Sequence, residues 1–491
     1  MGQPSGASGA ANTKGAGVTA ASPTASNLQS RPATSRLLPA GSAWSGWPLI
    51  AVCGGWLLAG CSGCATHAQR LVGPRQAFYT NDLEDAHAQL EKLASKRGDA
   101  QVVELDLALV DLLQGDPASA ERRLRQVRDA LDDLEQMSLA ESAAAAVTDD
   151  QRRAYAGEDY EKLLLRVFLT LTSLMQDGVD AESYALQTLA KQEQLRIDAQ
   201  ERWGKQLDPA YGIPPIAPYL RGVIREASLN SYDDAVRGYA QASRLLPEAT
   251  WLQQDLQRAA QGVHSQPGHG VVLVIALVGR GPYKIEVEER ATQEALLIAD
   301  RIVSAVGRYS VPPTLAPIKI PQIVSPPKPF DLIGVQVDGQ AWSTTLPITD
   351  VHRLASETYA EKLPEVMARA VARRIIKKGA VYAAKDQLEV HSSLASLAMD
   401  AAGVVWEATE AADTRCWGLL PREIQVLRLE LPVGHHRLTL EPLRGGRAVA
   451  AGAPCEVDVV DGGNTYILSY WPEAHPIGNI LVSGRSPATG F

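Results

Sequence analysis

Cysteine is the residue whose placement carries most chemistry in this 491-residue chain, at Cys53, Cys61, Cys64, Cys416 and Cys455. Cys61 closes the run Leu58-Ala59-Gly60-Cys61. Two small side chains there let the backbone enter a peptidase cleft, and the thiolate is a nucleophile that can be alkylated. Cys416 and Cys455 can pair as a disulfide in an oxidising compartment, or stay as two buried thiols. Other chemistry is sparse. Nine histidines are scattered, and only His435 and His436 adjoin. Neighbours on a strand point to opposite faces, so these two do not share a metal. There is no His-Glu-x-x-His and no Gly-x-Ser-x-Gly, and Cys-x-x-Cys occurs only as Cys61 to Cys64. Gly279-Arg280-Gly281-Pro282 has neither a third glycine nor Gly-Lys-Ser/Thr, and Pro282 lacks an N–H donor. A tight turn is expected there, not a phosphate loop. Glu288-Glu289 is a surface pair, and Glu158 with Arg166 on one helix reads as capping and surface pairing. No catalytic residue, cofactor or metal is expected.

The elements around Cys61 give it a meaning. Residues 2–43 are rich in Gly, Ala, Ser, Thr and Pro, with Lys14, Arg31 and Arg36 and no acid. Such a composition cannot bury enough surface to fold. An apolar run follows from Trp44 to Ala59, broken by Pro48, Gly54 and Gly55. A cationic lead, a short apolar core and small residues at its end describe a signal peptide over 1–60. The run Leu58-Ala59-Gly60-Cys61 resembles the lipobox, which implies that a diacylglycerol is added to Cys61 and the peptide bond before it is cut. At ~0.8 kcal/mol per buried methylene, two or three acyl chains hold firmly to a membrane. Ser62 rather than Asp after the cysteine favours the outer membrane, with the protein facing the periplasm. A linker is expected over 61–75.

The net charge of -9 argues against nucleic-acid binding, which needs a basic field. The length predicts several domains, and the pattern predicts an α+β multidomain chain. Over 76–262, apolar residues recur at helical spacing: Val102, Leu105, Leu109 and Leu112, then Ala120, Leu124 and Val127 after the break at Gly115-Asp116-Pro117. Tyr160 to Met175 and Ala181 to Arg196 read as another helix pair. Ala235, Tyr239, Ala242 and Pro247 resemble the second helix of a tetratricopeptide repeat, although Gly222 stands one position early for the small residue of the first. A generic helical bundle is the competing reading. Either is a scaffold, because stacked helix pairs present concave surfaces.

Residues 268–412 read as a mixed α/β region. Val271 to Val278 is a strand buried on both faces, Ala291 to Val306 is a helix, and Asp331 to Asp338 alternates as a strand. Residues 312–329 carry prolines 312, 313, 317, 321, 326, 327 and 329 and predict an extended strap or edge segment. Asp350 caps a long amphipathic helix that ends in Arg369, Arg373, Arg374, Lys377 and Lys378. These cations suit a helix C-terminus, or an anionic surface. Over 413–475, Ile424–Leu431, His436–Leu440, Cys455–Val460 and Tyr466–Tyr470 alternate with period two and predict a small antiparallel β-module, followed by a flexible tail over 476–491.

Gly157-Glu158-Asp159-Tyr160-Glu161-Lys162, Gly281-Pro282-Tyr283-Lys284, Asp413-Thr414-Arg415-Cys416-Trp417 and Leu431-Pro432-Val433-Gly434-His435 together resemble a family of bacterial outer-membrane lipoproteins with tetratricopeptide-like repeats. The resemblance covers about residues 76–475. Cys416 stands where the family has Ser, and the helix after Asp180 lacks its acidic-basic run. The family lends no activity. Lipoproteins of this build act as assembly factors or activators for envelope machinery, including peptidoglycan synthases. The resemblance therefore implies a lipid-anchored scaffold for an envelope protein, or an activator of a cell-wall or secretion machine, with peptidoglycan a further partner. A glycan-acting enzyme would need a cleft with two converging carboxylates.

Overall fold

The structure, a computed structural model, describes residues 67–94, 98–145, 154–229, 231–306, 317–387 and 411–484. Leu58, Ala59, Gly60 and Cys61, with Cys53 and Cys64, lie outside the described residues. No described helix is long and apolar enough to cross a membrane.

The expected linker is helical from His67: α1 (His67–Arg70) and α2 (Val72–Tyr79) bury Leu71 and Phe78, so this segment packs rather than spaces. Then come α3 (Leu83–Ala94), α4 (Ala100–Gln114), α5 (Pro117–Ala145), α6 (Asp159–Leu174), α7 (Ala181–Trp203), α8 (Ile216–Ala227), α9 (Tyr232–Leu245) and α10 (Leu252–Ala260). α4 is buried on almost every side, since it lies between other helices and a sheet. Its end follows from the sequence. Gly115 takes φ 91°, and Asp116 Oδ1 accepts the Ser119 N–H at 2.9 Å to cap α5. α8 and α9 cross at two glycines. A Cβ on Gly222 would meet the Tyr239 ring at 2.8 Å, and one on Gly238 would meet the Pro218 carbonyl at 2.7 Å. Gly222 is thus in place against Tyr239, and Gly238 completes the contact.

Next are β1 (His269–Arg280), β2 (Tyr283–Glu289), α11 (Gln293–Val306), β3 (Ile318–Val324), β4 (Leu332–Val337), β5 (Gln340–Thr344), β6 (Leu346–Asp350) and α12 (Val351–Gln387). After the strap at 411–420 come β7 (Pro421–Pro432), β8 (Gly434–Arg444), β9 (Arg447–Ala448), β10 (Ala453–Val459), β11 (Asn464–Trp471) and β12 (Ile477–Val482). One sheet has the order β12-β11-β1-β7-β6, and another β10-β8-β4-β5 with β9 beside β8. β2 and β3 pair separately.

The apolar run of β1 explains this arrangement. Val272, Val274, Ala276 and Val278 face the second sheet, and Leu273, Ile275 and Leu277 face the helices. Three layers result: helices, a mixed sheet, and an antiparallel sheet. β1 takes β7 antiparallel on one side and β11 parallel on the other, from Val271 opposite Asn464 to Val278 opposite Trp471. The strands of 413–475 therefore do not close into a module of their own. Period-two alternation fixed which residues face a core, but not which strand lies alongside. The expected boundaries at 268 and 413 fall inside one apolar core shared by helices and sheets.

Two further expectations change, at the tail and at α12, and the edge segment expected over 312–329 is found in its described part. Within the predicted tail, Ile477–Val482 form β12, locked by the Gly478 N–H to Asn81 Oδ1 (2.7 Å) and Asn479 Nδ2 to the Gln114 carbonyl (2.8 Å), and 485–491 lie outside the described residues. Pro321 lies within β3, tolerated because both strands of a two-stranded sheet are edges. Asp350 does cap α12, through the Arg353 N–H at 2.9 Å, but that helix runs on to Gln387. The basic cluster is thus not at a helix terminus. Arg373 is buried and Arg374 reaches the Pro317 carbonyl at 2.9 Å. The side chains of Lys377 and Lys378 lie outside the described residues.

Candidate functional site

The stretch Glu158-Asp159-Tyr160-Glu161-Lys162 opens α6, every residue of which is buried. Gly157, at φ 74°, turns the chain into it. Buried ionisable groups persist only when paired and hydrogen-bonded, and here each finds partners. Glu158 pairs with Lys284 of β2, itself 3% exposed. Asp159 accepts from Lys362 of α12 at 2.5 Å and from the Tyr211 hydroxyl at 2.9 Å. Glu161 accepts from both the Tyr155 and Tyr160 hydroxyls, the latter at 3.0 Å, and from the Trp417 N–H at 2.7 Å. Lys162 reaches Glu135 of α5 at 2.5 Å. The chain of charges continues outward through Lys191 to Asp132 (2.7 Å) and Arg166 to Asp132 (2.7 Å).

The electrostatics follow. Burial opposes ionisation of Asp159, but Lys362 and Lys162 outweigh it and bring its carboxyl down to about 2. Burial likewise opposes the Glu158 charge, and Lys284 and Lys362 hold that carboxyl below its usual range. Glu161 goes the other way: burial and the Glu158 charge push it up. Lys284 loses solvation, yet Glu158 and Asp413 raise it above an ordinary lysine. Glu158, Asp159 and Lys284 are therefore charged at neutral pH, a fixed arrangement with a stated geometry.

The strap 411–420 closes over this cluster. Arg415 grips Asp413 with two parallel bonds (2.8 and 2.7 Å) and donates to the Gly98 carbonyl at 2.7 Å. Trp417 packs on Phe168, ring centroids 5.1 Å apart. The three stretches around Glu158, Lys284 and Arg415, far apart in the chain, thus meet at one place. The first and last enclose the same carboxylates, and the second contributes the lysine.

The site bears on two expectations. Glu158 does cap α6, with Glu161 completing the capping box, but Glu158 and Arg166 are not a surface pair: each takes part in a half-buried ion pair, with Lys284 and Asp132. Cys416 and Cys455 are not bonded to each other, and both remain buried thiols. Cys416 sits in the strap on the helix side, where burial pushes its thiol up to about 11, and Cys455 sits on β10 among the residues between the two sheets. Of the two alternatives left open for this pair, the buried thiols are the one found, because the two residues belong to different layers. His435 and His436 contact Asp458 (2.9 Å) and Asp338 (2.8 Å) separately, and no group of metal-ligating side chains occurs among the described residues.

A cavity of about 960 Å³ opens elsewhere, between the edges of β10 and β12 and the α4–α5 turn. Gly115, Met175, Cys455, Pro476 and Ile480 line it, with Glu456 as its single carboxylate.

Sequence reasoning missed Lys362 and Tyr211 as partners of the site. Lys284 ends the stretch Gly281-Pro282-Tyr283-Lys284, whose residue types assign it no role. A lone lysine in a strand of alternating charge carries no local signal that its end is buried.

No protein-family model matches the chain, and no curated protein matches it. Among solved structures the chain is similar to the one described as the crystal structure of MamA protein, at 13% identity and a TM-score of 0.26. That likeness covers 39% of this chain and 80% of the other. The fold is that of a mixed α and β chain with a helical N-terminal region packed on sheets.

Proposed function

We propose that this protein is a lipid-anchored cell-envelope scaffold that holds another envelope protein through tetratricopeptide-like helix pairs. The observation that carries the reading is the α8–α9 crossing. Gly222 and Gly238 bring the helices into backbone contact, and Tyr239, fully buried, packs against Tyr219 and completes the joint. Small residues that allow close approach and an aromatic plug are what stacked helix pairs use to build a binding surface. Leu186 and Ile197, exposed on α7, are apolar contacts such a partner can cover. Cys61 supplies the membrane attachment in this reading. The cavity between β10 and β12 favours a second reading, in which the protein activates a cell-wall or secretion machine through its sheet edges.

Affinity capture from detergent-solubilised envelopes tests both. The scaffold reading expects one envelope protein to be recovered with the full chain and lost with Leu186→Glu. Recovery that survives Leu186→Glu but fails with Ile480→Glu, at the sheet edge, supports the second reading. Binding to purified cell wall with no protein partner sinks both. A Cys61→Ala chain that still fractionates with membranes removes the anchor.

A further inference from the structure

Each large sheet ends in an edge strand beside the cavity of about 960 Å³, β12 in one and β10 in the other. The two edges differ in what their backbones offer. The Ser483 N–H donates to the Tyr466 carbonyl at 2.9 Å, and its neighbour Val482 lies opposite Ile467. Antiparallel partners exchange bonds at alternate residues, so the Val482 N–H and C=O point away from β11, to the open side. No other described residue bonds to them. Ile477–Val482 also hold neither a proline nor a charge.

β10 is closed by comparison. The Asp338 N–H donates to the Arg437 carbonyl at 2.8 Å, so Arg437 bonds on its β4 side, and Glu456 opposite it turns its backbone to the free edge of β10. At that same edge Pro454 has no N–H to donate, and the Asp458 carbonyl accepts from the Thr465 hydroxyl at 3.1 Å. Proline and charged side chains such as Glu456 and Asp458 are what keep an edge strand from pairing. The open edge is therefore β12.

The cavity restricts what can reach it. Gly115 and Pro117 at the α4–α5 turn, Met175 and Gln176 after α6, and the start of β10 wall it. The β12 edge of a second copy, recessed between the same walls, cannot meet this one, whereas a single extended segment can lie about 4.8 Å from β12. Ile480 and Val482 pack against the core between the sheets, so alternate side chains of such a segment continue an apolar layer. Arg437 is the one cation lining the cavity and makes no ion pair among the described residues. Glu456, the one carboxylate, already meets His435 at 3.8 Å.

We propose that β12 accepts an added strand from a partner: an extended peptide segment, apolar at alternate positions, with a carboxylate that meets Arg437. This deepens the sheet-edge reading above, on which it rests, by naming the chemistry of the partner.

Fluorescence anisotropy of a labelled, end-capped peptide, Val-Glu-Val-Thr-Val-Glu-Val-Thr, with the purified full chain tests this without any envelope partner, so its failure is told apart from a failed capture. The peptide is expected to bind, and a version with Lys for Glu to bind about fivefold more weakly. A version N-methylated throughout, which cannot donate to a strand, is expected not to bind. Arg437→Glu, at an exposed position, is expected to reverse the preference between the Glu and Lys peptides. Exchange of the Val482 amide should slow in the complex. No binding of the plain peptide, equal binding of the methylated one, or a preference unchanged by Arg437→Glu overturns the proposal. So does binding that appears only once residues 485–491 are removed, which gives the cavity to that segment, or a dimer that Ile480→Glu separates, which gives it to a second copy.

Discussion

The molecule joins its layers in two unlike ways. Between the sheets, Val272, Val274, Ile333, Val335, Leu438, Leu440 and Val457 pack aliphatic on aliphatic, with Phe330 and Trp471 edge to face. Between the start of α6 and its neighbours β2, α12 and the strap, the contact consists of Glu158, Asp159, Glu161, Lys284, Lys362 and the Trp417 N–H. The first interface is non-directional and tolerates exchange among side chains of similar volume. The second is directional: each carboxylate fits only where its lysine or N–H already points. Burying charges adds little net stability over a well-packed apolar patch, but removing one partner leaves a charge with nothing to balance it. The difference teaches that the sheet packing supplies cohesion, while the charged junction dictates which elements meet.

That contrast can be broken by mutation. The largest effect is expected from Lys284→Ala, which leaves the half-buried Glu158 without its ion-pair partner and costs about 3 kcal/mol in chemical denaturation. Replacing both partners, as Glu158→Leu with Lys284→Met, is expected to recover most of that loss. If the double variant is as unstable as the single one, the junction is not governed by charge pairing.

Gly238→Ala tests the apolar side of the comparison at the α8–α9 crossing. Overpacking against the Pro218 carbonyl and Gly222 is expected to cost about 1–3 kcal/mol, read as a lowered Tm. An unchanged Tm would mean that the two helices can move apart freely.

An acid titration sharpens the junction further. Asp159 is held down to about 2 in the fold, so its ion pairs stabilise above its ordinary value of 3.8 and are lost as pH falls from there towards 2. Asp159→Asn is expected to flatten that part of the stability profile. The smallest effect belongs to Asp350→Ala, about 1 kcal/mol, from the lost cap on Arg353 of α12.

Much of the local structure was legible because it depends on neighbours in sequence. Gly115-Asp116-Pro117 ended one helix and began the next, as its residue types require. Ala120, Leu124 and Val127 faced inward at helical spacing, and Val271 to Val278 was a strand buried on both faces. The strands over 424–470 also formed where alternation placed them. What failed were partnerships. Nothing near Asn464 indicates that β11 lies parallel to β1, and nothing near Cys416 indicates that it sits far from the β10 layer that holds Cys455.

The charged site marks the same limit. The sequence by itself determined the residue types at Glu158, Lys284 and Arg415, the breaks between elements, and the periodicity that says which faces are apolar. Only the tertiary structure decided that the segments around these three residues converge, that Glu158 pairs with the buried Lys284, and that Asp106 reaches the strap. The physical reason is range. Periodicity and capping act over one or two turns of chain, whereas Glu158 and Lys284 meet across 126 residues and Leu419 and Asp106 across 313. Contacts of that separation are set by the mutual packing of whole layers, which no local pattern encodes.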